Sequence, residues 1–459
     1  FPELDNSSGG EGVRIGLVGT GGNQAMLGLH QSPIYDQYLK NQGIDPDSVL
    51  PVQSLDKTEP NTQDVGEQML DISILTSIAP NAQIIASTYD DYEELIYENK
   101  IDIISSSMGA LPNYSLWSPS QEELFVDAIL RGITVVIAAG DQGTLNIEGG
   151  GGQLIPFGEP LSSATDGSSA VLSVGGTSFS PELNKVPFVF NRNKLDELNR
   201  TMVVDGDAYD SLTGLIGNQS MWNQFMPIMG TTINGVFYDN LTLVDSQYLI
   251  ANRIGSSGSW NSDDSVLNAG YQINNLDGDM DGYARKFPDI SVLAGGNTAN
   301  GTNNWHTINM YDESTDTYMF SVNGGTSSGA PLTAGLLAVI AGDLKEQNGP
   351  QSRIGFINPL LYEGYASDRR DDLFIDVPEG SNNANVFKVV DQANWNENFY
   401  TAFTVDGELT YFPLMGTGPG GSLDTSLSQT GYGFDDASGL GSLNGKELLN
   451  YLTQIHGSM

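Results

Sequence analysis

Short β-branched runs alternate with helix-forming stretches through the first 180 residues, and few architectures accept that order. Val13-Arg-Ile-Gly-Leu-Val18, Gln83-Ile-Ile-Ala-Ser87, Ile101-Asp-Ile-Ile-Ser-Ser106, Thr134-Val-Val-Ile-Ala138 and Val171-Leu-Ser-Val174 read as strands. Between them, one helix runs to about Ile78 and stops before Pro80, and another covers Gln121 to Arg131. Strands separated by helices pair side by side in one direction, with the helices laid on the sheet faces. The expected class is therefore α/β, with a mostly parallel central sheet. The stretch from Ser328 to Leu344 is apolar nearly all round, as an interior helix must be. Residues 180–285 read as inserted loops and antiparallel strands. Beyond 355 the chain reads as irregular and Gly/Asp/Asn-rich, closing in a short helix near Gly445 to Ile455. Neither a repeat nor a long linker divides the 459 residues, so one domain is expected, with 356–459 as its C-terminal segment.

Charge narrows the partners. Eighteen Lys and Arg face 57 Asp and Glu, a formal net charge of -39. Such a field repels phosphate, which argues against nucleic acid and anionic membranes. It also repels itself at neutral pH and relaxes where carboxylates protonate, so the chain reads either as an acidic soluble protein or as one working in acid. Cysteine is absent, which removes disulfides, thiolate nucleophiles and Cys-bound zinc. No uncharged apolar run of the length needed to span a bilayer stands out. The chain begins at Phe1 with neither Met nor a leader, and is expected to be a trimmed form. Sequons at Asn6, Asn113, Asn199, Asn218, Asn240 and Asn300 favour secretion slightly in so Asn-rich a chain.

Glu67 and Asp71 are four residues apart, about 40° from alignment on one helix face, one turn above the other. Acids early in a helix also simply complement its dipole, which suffices for Asp64. Gly324-Gly-Thr-Ser-Ser-Gly-Ala-Pro331 puts Ser327 at a helix start, where free N–H groups and the dipole stabilise negative charge; an N-cap is the ordinary alternative. Ala138-Ala-Gly-Asp141-Gln-Gly143 sets a carboxylate just after a strand, at the sheet edge where active sites collect, or in a plain turn. Only His30, His306 and His456 exist. None has a His-Gly-Thr context, no His-Glu-x-x-His pair occurs, and a nucleophilic Ser327 would need a base other than histidine. Gly19-Thr-Gly-Gly-Asn-Gln24 fails as a dinucleotide fingerprint at Gln24. Gly149 to Gly152 lack a following Lys-Ser/Thr and read as a mobile surface loop.

Taken in order, these strings resemble the sedolisin family of serine-carboxyl peptidases, whose fold is subtilisin-like with three layers. Glu67-x-x-Leu-Asp71 with Ile78-Ala-Pro-Asn-Ala82 is similar to one family block. Ser105-Ser106-Ser107-Met108-Gly109 is similar to the strand along which substrate lies, with Met108 in place of the usual Trp. Ala139-Gly-Asp141-Gln142-Gly143, Val174-Gly-Gly-Thr177, Arg285-Lys-Phe-Pro-Asp289 and Gly325-Thr-Ser327 match further landmarks. The resemblance implies Ser327 as nucleophile, Glu67 as general base and later acid, Asp71 orienting Glu67, and a protonated Asp141 in the oxyanion hole. It implies substrate contacts at Ser105, Ser106, Ser107, Met108, Gly109, Gly140, Gly325 and Thr326. Met108 and Gln142 depart from the commonest residues, which bears on side-chain preference.

Near the end, Asp376-Val377 and Gly431-Tyr-Gly433-Phe-Asp435 with Gly439-Leu-Gly441 resemble the family's calcium site. The ligands it implies are the carboxylates of Asp376 and Asp435 and the carbonyls of Val377, Gly431 and Gly433. Asp277-Gly-Asp279-Met-Asp281-Gly282 starts like an EF-hand, but its twelfth position is Pro288, so a second calcium or a polar turn are both open there. The implied activity is an acid endopeptidase acting on peptides or proteins, made with an N-terminal prosegment. Secretion is expected, with an acidic lysosome-like compartment as alternative, and a monomer. The alternatives are a tripeptidyl aminopeptidase of the same family and a catalytically silent, calcium-bound binding protein.

Overall fold

The structure is a computed structural model. It describes residues 8–19, 24–55, 66–88, 92–97, 101–107, 119–141, 168–179, 285–295, 306–312, 317–377 and 430–456, and elsewhere short pieces, chiefly strands between 145 and 276 and a pair at 400–413. The strands that build the site are β1 (Arg14–Gly19), β2 (Gln53–Ser54), β3 (Gln83–Thr88), β4 (Ile103–Ser106), β5 (Thr134–Ala138), β6 (Leu172–Phe179), β7 (Gln219–Met221), β8 (Ile290–Leu293), β9 (His306–Asp312), β10 (Thr317–Asn323), β11 (Phe374–Ile375) and β12 (Ser442–Leu443). The helices are α1 (Pro33–Asn41), α2 (Gly66–Ile78), α3 (Tyr92–Tyr97), α4 (Pro119–Leu130), α5 (Thr326–Asn348), α6 (Asn358–Tyr365) and α7 (Gly445–His456).

One sheet runs in the order β7-β6-β5-β4-β1-β3-β2, with β8 also paired to β6. All of its pairings are parallel except β7 with β6. The order follows from burial on both faces, because successive side chains of a strand point to opposite sides. Ile15, Leu17, Ile103, Val136 and Ala138 join α2 and α5 in one core. Val18, Ile104, Val135 and Ile137 join Tyr92, Leu95 and Phe125 of α3 and α4 in the other. The result is helix, sheet, helix: the expected subtilisin-like layering.

Several boundaries differ from expectation. β6 does not stop at Val174 but continues to Phe179, because β5, β8 and β7 all hydrogen-bond to it. Gly175 and Gly176 permit this: a Cβ at either would stand 2.6 Å from Ser291 Oγ or Ala294 Cβ respectively. The tail is less irregular than expected, since α6 buries Leu361 and Tyr362 in the main core. The β9–β10 hairpin, which packs on α2, has no counterpart in the sequence reading. Between 203 and 261 the described residues form short pairs, such as Asn223–Phe225 against Arg253–Gly255. Among the described residues one helix, α5, is long and apolar enough to cross a membrane, and 89% of that stretch is buried inside the protein.

Candidate active site

α2 carries Glu67 and Asp71 one turn apart, and it lies along α5 and β9. Its face toward them is apolar and closed, so Asp71 is 1% exposed, whereas Glu67 at the first turn keeps partial access. Burial, then the neighbouring Glu67 charge, pushes the Asp71 carboxyl well above its usual range; a hydrogen bond from Ser107 opposes the rise. Two carboxyls placed so cannot both ionise cheaply.

Ser107 follows β4 directly. Its Oγ lies 2.5 Å from Asp71 Oδ1 and 2.7 Å from the Ser327 carbonyl oxygen. That carbonyl is available for a reason written in the sequence. Its helical partner would be the N–H of residue 331, and Pro331 has none. Ser327 itself is partly exposed between buried Thr326 and Ser328, in the first turn of α5. Its Oγ is 3.4 Å from the Ser107 carbonyl, a long contact that leaves the hydroxyl easy to turn.

Asp141 arrives from the carboxyl end of β5. Its Oδ1 accepts from both the Thr326 N–H and the Thr326 hydroxyl, each at 2.7 Å, and Thr326 Oγ1 in turn accepts from the Gly140 N–H at 2.9 Å. The other oxygen, Oδ2, presses on Gly325, where any Cβ would overlap it. Gly325 has φ 93° and ψ 178°, a region essentially closed to residues with side chains. Burial pushes the Asp141 carboxyl up, and the two Thr326 donors oppose it. Two carboxyls thus converge on one helix start, the buried Asp71 through Ser107 and the partly exposed Asp141 through Thr326.

The remaining expected residues fall as follows. The side chains of Ser105 and Ser106 are fully buried within β4, which pairs with β1 and β5. Interior strands of a two-faced sheet offer no side chain to solvent. Met108, Gly109, Gln142, Gly143, Gly149 to Gly152, the acids at 277, 279 and 281, and the sequon asparagines lie outside the described residues. His306 is partly buried with its Nε2 on the Leu293 carbonyl at 3.1 Å, and His30 packs edge-on to Tyr35. Burial lowers the pKa of both rings.

Two features were not read from sequence. One is the Ser107 bridge, for which Pro331 is the available signal. The other is what Arg285 and Asp289 do. They form a fully buried bidentate pair, at 2.8 and 2.6 Å, on which Ser173 N, Asn358 and Tyr362 also close. The Asp289 carbonyl accepts from Leu440, fastening the C-terminal turn to the sheet.

That turn brings the expected calcium residues together. β11 pairs with β12, and the Gly433 N–H reaches Asp376 Oδ2 at 2.9 Å. Asp435 closes the turn on itself, accepting from Gly431, Ala437 and Ser438. The donor set suits a hard cation, with two carboxylates and backbone carbonyls at one turn. Asp376 accepts one N–H on each oxygen, which leaves each a further lone pair. Burial pushes the Asp435 carboxyl up to about 6, and the hydrogen bonds from Gly431, Ser438 and Ala437 oppose the rise. Among the described residues, no cluster of three or more His, Cys, Asp or Glu could hold a metal, so carbonyls must supply much of any shell.

Comparison with known proteins agrees with this geometry. The pattern of the Peptidase_S8 (Subtilase) family matches residues 68–353, taking in Asp71, Asp141 and Ser327 and beginning just after Glu67. Kumamolisin of Bacillus sp. (strain MN-32) is 27% identical over 405 residues, 83% of this chain. The chain spans about half of that protein's length, 55%. The solved Pseudomonas sedolisin, a serine-carboxyl proteinase complexed with two molecules of pseudo-iodotyrostatin, aligns with a TM-score of 0.58 at 17% identity, over 99% of this chain and 96% of its own. The sedolisin resemblance drawn from the motifs is met by these likenesses, and at that identity the last of them speaks for the fold.

Proposed function

We propose, from the premise that the chain belongs to the subtilase family, that it is a serine peptidase working in acid as a serine-carboxyl endopeptidase. Ser327 Oγ attacks the scissile carbonyl carbon as Glu67 takes its proton, with Asp71 holding Glu67 in place. The oxyanion so formed accepts a hydrogen bond from Asp141, which can donate only when protonated. Collapse expels the amine, which receives the proton from Glu67, and leaves an acyl ester on Ser327. Water then repeats the sequence in reverse roles and releases the acid.

The observation that supports this most directly is the convergence of two carboxyls, both pushed above their usual range, on the first turn of α5. A glutamate base works best well below neutrality, since its ordinary pKa is about two units under histidine's. An acidic setting also suits a chain of net charge -39. Calcium, held by Asp376, Asp435 and the carbonyls of Val377, Gly431 and Gly433, would lock the C-terminal turn and take no part in bond cleavage.

Titration with a peptide aldehyde at about pH 4 tests the reading. Stoichiometric, reversible inhibition in the wild type, absent in Ser327→Ala, is expected. Lack of inhibition would instead favour a silent binding protein. Products from a long peptide separate internal cleavage from release of successive tripeptides.

A further inference from the structure

Ser107 has one hydroxyl proton and two acceptors within reach: Asp71 Oδ1 at 2.5 Å and the Ser327 carbonyl at 2.7 Å. A hydroxyl donates once and accepts twice, so it cannot donate fully to both. Which acceptor it serves depends on Asp71. Beside an ionised Asp71 the proton points to the carboxylate, and the Ser327 carbonyl loses the Ser107 donor. Beside a protonated Asp71 the carboxyl donates to Ser107 Oγ, and Ser107 passes its own proton to the carbonyl. Pro331 makes this matter, because it removes the N–H that a helix would otherwise supply to that carbonyl.

We propose that Ser107 is a positioning residue, a hydroxyl relay through which protonation of Asp71 fastens the backbone of Ser327 to the end of β4. The proposal rests on the reading of Ser327 as nucleophile and Glu67–Asp71 as its base. It adds a third reason for acid activity, distinct from the base and the oxyanion donor: the low-pH form is the one in which every group of the chain Asp71, Ser107, Ser327 carbonyl is satisfied. The burial of Ser107, 6% exposed, keeps water from replacing it.

The surroundings leave the relay to act largely on its own. Glu67 is the charged neighbour that acts on Asp71 from its own helix. α5 has no charged side chain from Thr326 to Gly342, and β4 has none. β9 has His306 and Asp312 only at its ends, with His306 engaged at the Leu293 carbonyl. β1 has Arg14 at its far, amino end.

The test compares wild type, Ser107→Ala and Ser107→Thr on a fluorogenic peptide across the acid range, with peptide-aldehyde titration of each. Ser107→Ala removes a donor to a carboxylate, so the pair keeps its proton longer and the alkaline limb of the kcat profile should move up by about one pH unit. kcat should fall about tenfold with KM nearly unchanged, because the lost hold acts on the nucleophile rather than on substrate. Ser107→Thr, which keeps the hydroxyl, should restore the limb. A Ser107→Ala profile that superposes on wild type, with titration intact, overturns the relay and leaves the peptidase reading standing. Failure of the wild type to titrate overturns both. Should Ser107→Ala not fold, Ser107→Cys, whose thiol is a weak donor, is read by the same criteria.

Discussion

Asp141→Asn separates the electrostatics of the site from its shape. Asparagine Oδ1 can accept both Thr326 bonds now made at 2.7 Å, and its amide nitrogen takes the place of Oδ2 against Gly325. Volume and capping of α5 are retained; what is lost is titration. In the wild type, burial outweighs the two donors and holds the carboxyl protonated above its usual range. Once pH rises past that point the group turns from donor to acceptor and repels the oxyanion. Loss of one oxyanion donor costs about 10²–10³ in kcat, about 3–4 kcal/mol. The variant's amide donates at every pH. At about pH 3 it should therefore work within about tenfold of wild type, and near pH 7 it should exceed wild type by about a hundredfold. The assay is kcat on an internally quenched peptide across that range, after active-site titration of each enzyme. A variant whose alkaline limb overlies that of wild type would remove Asp141 from the oxyanion hole.

Gly325→Ala meets two obstacles at once, a φ of 93° with ψ 178° and overlap with Asp141 Oδ2. Strain of about 1–3 kcal/mol and a large loss of kcat are expected, against about 1 kcal/mol and full activity for Gly12→Ala, whose added Cβ meets nothing within 4 Å; equal effects in melting and kinetics would refute the contact. Stability should fall as pH rises. Asp71 and Asp141 have folded pKa values above the usual 3.8, so the folded state binds more protons than the unfolded one between 3.8 and those raised values, and stability drops across that window. Melting temperature should thus be highest on the acid side, with a shallower slope in Asp71→Asn, and a melting temperature that climbs from about pH 4 to 7 would contradict it. Chelation should lower the melting temperature and added calcium restore it, an effect absent in Asp376→Asn; a calcium-indifferent wild type would count against the site.

What the sequence determined was whatever depends on neighbours along the chain. Period and composition delivered β5 to the residue and α2 to its last turn, and Glu67 with Asp71 on one face of it, because 3.6 residues per turn is a local fact. The motif order carried the family and the layering. Local signals failed where pairing across the sheet decides the outcome. β6 ran through Gly175 and Gly176 because three neighbours hydrogen-bond to it. Only the folded chain could bring Ser107, from the end of one strand, between an acid 36 residues before it and a carbonyl 220 residues after it. A hydroxyl's partners are set by what the sheet and two helices place within 3 Å, and no spacing in the sequence encodes that distance.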